Sequence, residues 1–407
     1  MSEKPGSILG GTLLIGGSCI GAGMLGLPIL TGLAGFFPSF LMFIAAWAFM
    51  TLTGLLLVEV NGWFKTQVNL VSMFGHSLGR IGKALSWVLY LFLFYALLVA
   101  YISGSGGLSA TFFQKFMSWN FPAWACSLFF VLLFGFVVYQ GTRPVDLWNR
   151  VLMVGKILSY IGLVVLGMRF VKADLLLHTE PSYALFSLPI LIISFGFHNM
   201  IPSLTAYMKG DLKRVRLTIL GGSLFALVVY LIWELIVLGI VPVDGPSGIA
   251  QSYKMDKEAS QVVTSILGIS WVSTFAQTLG FFAILTSFLA QALGLVHFLA
   301  DGMNVSHEKK ENGWLCALAL GPPLLVALIY PNLFYKALNF AGGICAVLLF
   351  GILPVCMVWI GRYRKQTLGS YQVPGGKPLL IGIFLFSLLI MFVQISGMAG
   401  ASYISKP

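Results

Sequence analysis

The sequence predicts an all-α polytopic membrane protein. Three observations lead there: the composition, the number of membrane-length apolar runs, and the broken character of two of those runs. Hydrophobic residues make up 58% of the 407-residue chain and charged residues only 9%, against about 25% charged in an average soluble domain. Apolar runs of about 20 residues, the length that crosses the hydrocarbon core, number eleven: 8–35, 38–61, 84–110, 122–140, 147–169, 184–208, 216–240, 271–300, 314–331, 337–360 and 378–401. No soluble domain is visible, so residues 1–407 read as one transmembrane domain in a lipid bilayer. The first run continues past Leu33 without a cleavage-type boundary, so it reads as a retained span and not as a signal peptide.

The net charge of +11 calls for no nucleic-acid partner, because loop lysines and arginines account for it. With odd-numbered spans leaving the cytoplasm, sixteen of these residues fall on the cytoplasmic side, including Lys4, Lys65, Lys309 and Lys310. Seven fall outside, including Lys115 and Lys406. The bias puts the N-terminus in the cytoplasm and the C-terminus on the exported side. The five cysteines lie in or beside apolar runs without paired metal spacing and read as free packing residues, with no metal site.

Two connections exceed what neighbouring spans need. Residues 61–83 mix Trp63, Phe64, Val68, Leu70, Val71 and Phe74 with polar residues, which predicts a short interfacial helix. Residues 241–270 begin with Pro242, Gly245 and Pro246 and then offer a helix over 256–267, either an outer lid or a packed loop.

The first span cannot stay whole. Gly16, Gly17, Gly21, Gly23, Gly26 and Pro28 fall within 15–28, and each glycine inside a helix costs roughly 0.5–1 kcal/mol relative to alanine. Pro28 removes a further backbone donor. A break is predicted near Ser18 to Gly23. Unpaired backbone at membrane depth is tolerated only where it is packed in protein or lines a polar cavity. The sixth span repeats the pattern over 187–202, with Pro189, Gly196, Asn199 and Pro202. Asn199, three residues before Pro202, suits a restarting helix N-terminus. Interrupted spans at corresponding places in two halves point to an inverted-repeat transporter. The repeats would be 8–169 and 184–360, five spans each, with 378–401 as an extra helix.

Broken helices have a specific chemical use. The amides of Gly21, Ala22, Gly23, Met24 and Leu25 concentrate positive potential suited to a carboxylate. The carbonyls of Gly16, Gly17, Ser18 and Cys19, with those near Ser194 and Phe195, suit an ammonium. No acidic residue lies in the first break, which fits a zwitterion bringing its own carboxylate. His198, in the second break with Gly196, Phe197 and Asn199, could hydrogen-bond a phenol or indole; a packed structural histidine is the alternative. Phe195, Phe197, Tyr95 and Tyr101 are candidates for an aromatic wall. Lys156 stands six residues beyond Arg150, about 9 Å deeper at 1.5 Å per residue. An ammonium there is costly, so it is either a coupling group or a chain snorkelling to the interface. No catalytic constellation is present, so the chain reads as a non-enzyme.

The runs Ile20-Gly21-Ala22-Gly23-Met24, Tyr101-Ile102-Ser103-Gly104, Ser194-Phe195-Gly196-Phe197-His198, Pro202-Ser203, Thr286-Ser287-Phe288-Leu289 and Ala292-Leu293-Gly294-Leu295 together resemble the aromatic and hydroxy amino acid permease family, nearest its bacterial tyrosine-specific members. The similarity runs from about Gly10 to Gln394. The resemblance implies a leucine-transporter-type fold in the bacterial cytoplasmic membrane, and proton symport of an aromatic amino acid, tyrosine first. Sodium coupling, or tryptophan or another aromatic substrate, is the alternative, and a channel is a more distant one. No cofactor is implied beyond the coupling ion. In the wider superfamily a fifth-span lysine takes the place of a sodium ion. Carried over, Lys156 would face Thr286, Ser287 and the carbonyls around Gly16 and Cys19. Thr286 and Ser287 also resemble sodium ligands, which keeps the ion open. Glu59 resembles a second-span glutamate that supports the broken parts of spans one and six; a proton-carrying role is its alternative.

Overall fold

The computed structural model describes residues 6–64, 68–268, 271–303, 305, 312–330, 332–367 and 369–399, and among these every regular element is helical. Lys4, Lys65, Lys309, Lys310, Lys406 and the side chain of Lys115, all used in the charge count, lie outside the described residues. So do the ends of the runs at 331 and 400–401.

In chain order the helices are α1 (Ile8–Cys19), α2 (Gly23–Thr31), α3 (Phe36–Asn61), α4 (Leu70–Met117), α5 (Ala123–Tyr139) and α6 (Thr142–Gly167). Then come α7 (Ala173–Leu176), α8 (Leu188–Ser194), α9 (Ile201–Tyr207), α10 (Leu212–Ile240), α11 (Ile249–Lys254) and α12 (Ala259–Leu267). The last are α13 (Trp271–Met303), α14 (Asn312–Ile329), α15 (Phe334–Phe340), α16 (Leu353–Tyr363) and α17 (Gly376–Ala399). A π-helix, Ala341–Ile352, joins α15 to α16. Several starts are fixed by side chains that accept otherwise unpaired amides: Ser7 from Gly10, Asn69 from Ser72, and Asp211 from Lys213 and Arg214.

Among the described residues eight helical stretches are long and apolar enough to cross a membrane, or nine with α1 and α2 as one bent span. Two shorter apolar helices, Ala123–Tyr139 and Gly313–Ile329, fall on the fourth and ninth expected runs. The chain is a multi-pass membrane protein. Its surface agrees, since Val151, Val154, Ile157, Leu158, Ile161 and Val165 form an exposed apolar face along α6 where lipid would replace water.

Two connections differ from expectation. Residues 65–67 of the expected interfacial helix lie outside the described residues, and the helix that follows runs from Leu70 straight into the third span with a kink at Gly79. Residues 241–270 hold two helices where one was expected. Glu258 sets the start of the second by accepting the Ser260 and Gln261 amides at 2.8 and 3.0 Å.

This connection is fastened to the start of α15. Asp256 accepts the amides of Phe334 (2.8 Å) and Tyr335 (3.2 Å), and the Tyr335 hydroxyl donates to the Lys257 carbonyl at 2.8 Å. Burial pushes the Glu258 carboxyl up from 4.5 to about 7, against the pull of its Ser260 and Gln261 donors. Burial likewise raises Asp256 to about 6. An acid raised in the folded state binds more protons folded than unfolded, so its contribution falls as pH rises. We predict that hydrogen exchange in α12, corrected for intrinsic rates, quickens between pH 4.5 and 7, and that Glu258→Gln flattens the slope. An unchanged slope in that variant would refute the assignment.

In the interior α1 packs on α10, α6 on α13, and α8 on both α2 and the π-helix. Gly342 of the π-helix rests on the Pro189 carbonyl so closely that any Cβ would overlap it. The packing of α2 on α8 brings the breaks of the first and sixth segments together.

Candidate functional site

The first segment breaks where the glycines predicted, between Cys19 and Gly23, and the chain bends there by 59°. The sixth is interrupted after Ser194 by Phe195, Gly196 and Phe197, passes through a 3-10 turn, His198–Met200, and resumes as α9 with Pro202 in its first turn. The two breaks touch. A Cβ added to Gly23 would lie 2.8 Å from Ser194 Oγ, so α2 sits against the end of α8 and a side chain there would have to turn the Ser194 hydroxyl aside. Asn199 does not cap α9 as expected; it lies inside the 3-10 turn, its buried Oδ1 without a partner among the described residues.

The amides of the first break are largely occupied. Gly21 N–H donates to Cys19 O, Met24 to Gly21 O and Leu25 to Ala22 O, while Ala22 N–H donates to the Ser287 hydroxyl at 2.9 Å. Short-range turns and Ser287 have taken bonds that were expected to be open to a carboxylate. A ligand oxygen binding Ala22 must displace the Ser287 hydroxyl.

The carbonyls of the breaks are gripped from α6 and α10. Lys156 is buried and donates to Ile20 O at 2.6 Å, with Thr286 Oγ1 at 3.5 Å. The ammonium is therefore turned inward to the break and does not snorkel to an interface. Gly16 O accepts Ile20 N–H instead. Tyr230 Oη is 2.6 Å from Cys19 O and 2.7 Å from Ser194 O, so one hydroxyl bridges both breaks. Trp233 Nε1, one turn on, donates to Met24 O at 2.9 Å. Sequence reasoning missed both of these residues. The available signal was polar-tipped aromatics in an apolar span, which need a partner when buried.

His198 is fully buried, stacked between Phe197 and Phe350 at centroid distances of 4.9 and 4.6 Å. Its Nε2 lies 2.9 Å from Thr53 Oγ1, which is also within hydrogen-bond reach of Met50 O at 3.1 Å. The buried Nδ1 has no partner among the described residues. Phe195 meets Tyr230 edge-on at 5.1 Å. Tyr101 is buried on α4 with no hydrogen bond to either break. Gly17 is half-buried, and Ser18 is exposed, with its hydroxyl turned back to Ile15 O. Tyr95 belongs elsewhere, because its hydroxyl donates to Leu318 O of α14.

Glu59 does not reach the breaks that the resemblance assigned to it. Both of its oxygens pair with the Arg362 guanidinium, Nε–H donating at 2.6 Å, and Oε2 also accepts the Val373 amide at 2.8 Å. The pair, 0% and 8% exposed, ties α3 to the end of α16. Removing one partner of a buried pair costs roughly 3–5 kcal/mol. Glu59→Gln should lower the unfolding temperature of the purified protein, and an unaltered transition would show that the pair contributes nothing.

Among the described residues no group of three or more His, Cys, Asp or Glu is placed to hold a metal ion.

Broken helices meeting at the centre of an apolar bundle, held by a lysine and a tyrosine, define a membrane protein with a backbone-lined site. The chain belongs to the tryptophan/tyrosine permease family, whose family model matches residues 4–394. Membership places it among the aromatic amino acid permeases. It is 31% identical to tyrosine-specific transport system 1 of Haemophilus influenzae, over 96% of this chain and 97% of that protein. It is also 31% identical to the tryptophan-specific transport protein of Shigella flexneri, over 94% and 93%. The fold is similar to that of the Eremococcus coleocola manganese transporter, with a TM-score of 0.62, 13% identity, and coverage of 97% of this chain and 87% of that one.

Proposed function

We propose that the chain imports an aromatic amino acid, tyrosine foremost, together with protons across the bacterial cytoplasmic membrane. The observation that carries this reading is the Lys156 ammonium on the Ile20 carbonyl, beside two breaks bridged by Tyr230. A fixed cation there fills the position a sodium ion would need, with Thr286 and Ser287 around it, which favours protons as the coupling ion. Substrate lies along the breaks. Its carboxylate displaces Ser287 from Ala22 near Gly21 and Gly23, its ammonium meets carbonyls released by Tyr230, and its ring lies by Phe195 with Tyr101 as a wall. A phenol or indole proton goes to His198 Nδ1. In this reading eleven spans cross the bilayer as two inverted sets of five plus α17, with the N-terminus cytoplasmic and the C-terminus exported. Access alternates as one bundle rocks against the rest.

The test is counterflow in proteoliposomes with the twenty amino acids, under an imposed proton or sodium gradient. Tyrosine is expected to exchange best and to accumulate with a proton gradient alone. Accumulation that needs sodium, or preference for a non-aromatic substrate, would overturn the reading.

A further inference from the structure

Helix α10 carries a second buried ionisable group that the site above does not use. Glu234 follows Trp233 and is completely buried. Its Oε1 is hydrogen-bonded to the hydroxyl of Thr31, the last residue of α2, and its Oε2 has no partner among the described residues. The Thr31 hydroxyl also lies 2.6 Å from Leu27 O. A hydroxyl has one proton. It can donate to Leu27 O or to Glu234 Oε1, one at a time, and Oε2 has no donor in either case. A carboxylate would therefore leave a bare charged oxygen in apolar surroundings, at high cost, which the neutral acid avoids.

Among the described residues no cation bonds to Glu234; the adjoining connections bring Lys172, whose amide donates to Gly239 O of α10, and His178, whose ring is hydrogen-bonded to Leu33 O. Of the elements packed on α10, α2 and α12 carry no ionisable side chain. The others bring Cys19 (α1), Glu59 (α3), Arg143, Asp146, Arg150, Lys156 and Tyr160 (α6), Asp174 (α7), Arg169 in the adjoining 3-10 turn, and Tyr207 (α9), and none of these bonds to Glu234. On α10 itself Tyr230 is turned to the breaks, and Lys213, Arg214 and Arg216 lie at the far end.

From this geometry we propose that Glu234 is a proton-binding site. It holds a proton while α2 is docked against α10 and releases it when α2 moves away and water reaches the carboxylate. Docking of α2 and protonation then favour each other, as linkage requires. The proton would be taken up on the half of the protein assigned to the exported side, separately from Lys156. The inference rests on the proton-symport reading for its role in transport, but not for the protonation itself.

Two measurements keep these apart. In infrared spectra of the purified protein at neutral pH, a carboxylic-acid carbonyl band is expected that disappears in Glu234→Gln and shifts in Thr31→Val, where its hydrogen-bond partner is gone. In proteoliposomes, Glu234→Gln should lower the ratio of pH-driven accumulation to counterflow at least tenfold; a merely structural defect would lower both together. A band that is absent, or unmoved in Thr31→Val, overturns the site even if Glu234→Gln does not fold. An unchanged ratio overturns its coupling role. Failure of the wild type to exchange aromatic amino acids would refute the transport reading and leave the infrared result standing.

Discussion

Lys156→Ala is expected to abolish accumulation of labelled tyrosine driven by a pH gradient in proteoliposomes. The Lys156 Nζ is 2.6 Å from Ile20 O, in the only stretch where α1 and α2 lose their regular backbone pairing. Truncation removes the charge and strands a carbonyl. A hydrogen bond to a charged group contributes about 1.5–3 kcal/mol, so the docked arrangement of the break should lose roughly ten- to 150-fold in population. Accumulation should fall at least tenfold, with counterflow less affected. Full pH-driven accumulation in the alanine variant would remove the lysine from the coupling scheme.

Tyr230→Phe is expected to be nearly as damaging, although it deletes a single oxygen. That oxygen is 2.6 Å from Cys19 O and 2.7 Å from Ser194 O, in a side chain with no exposed surface. Cys19 O keeps the Gly21 amide, so Ser194 O is the acceptor that loses its donor. One buried acceptor left unsatisfied costs about 1–3 kcal/mol, or roughly a five- to 150-fold change in the affected equilibrium. The concentration for half-maximal counterflow should rise, and the unfolding temperature should fall only modestly. Unchanged half-maximal counterflow would show that the bridge plays no part in binding.

The breaks were legible because glycine and proline act locally. Five glycines and Pro28 in 15–28 need no tertiary information to disfavour a continuous helix. Lys156 stood out because a cation is rare in an apolar run. Tyr230 and Trp233 were not legible, since 33 phenylalanines, 14 tyrosines and 10 tryptophans give no local sign of which ring faces a carbonyl. The partner of Glu59 was hidden for another reason: Arg362 is 303 residues away, and nothing local pairs the two. Asn199 was misplaced because residues that favour N-caps also fit 3-10 turns, and the cap position fell one residue later, at Met200.

The span from Phe334 to Tyr363 is held at both faces. At one end Leu333 N–H donates to Ser103 Oγ, and Phe334 and Tyr335 donate to Asp256; at the other Arg362 is locked to Glu59. Between them lies the π-helical stretch Ala341–Ile352, whose turns are wound more loosely than those on either side. A rod clamped at both ends yields at its middle. Gly342, seated on the Pro189 carbonyl at the start of α8, lies within that looser stretch, so any bending of the clamped span falls beside α8.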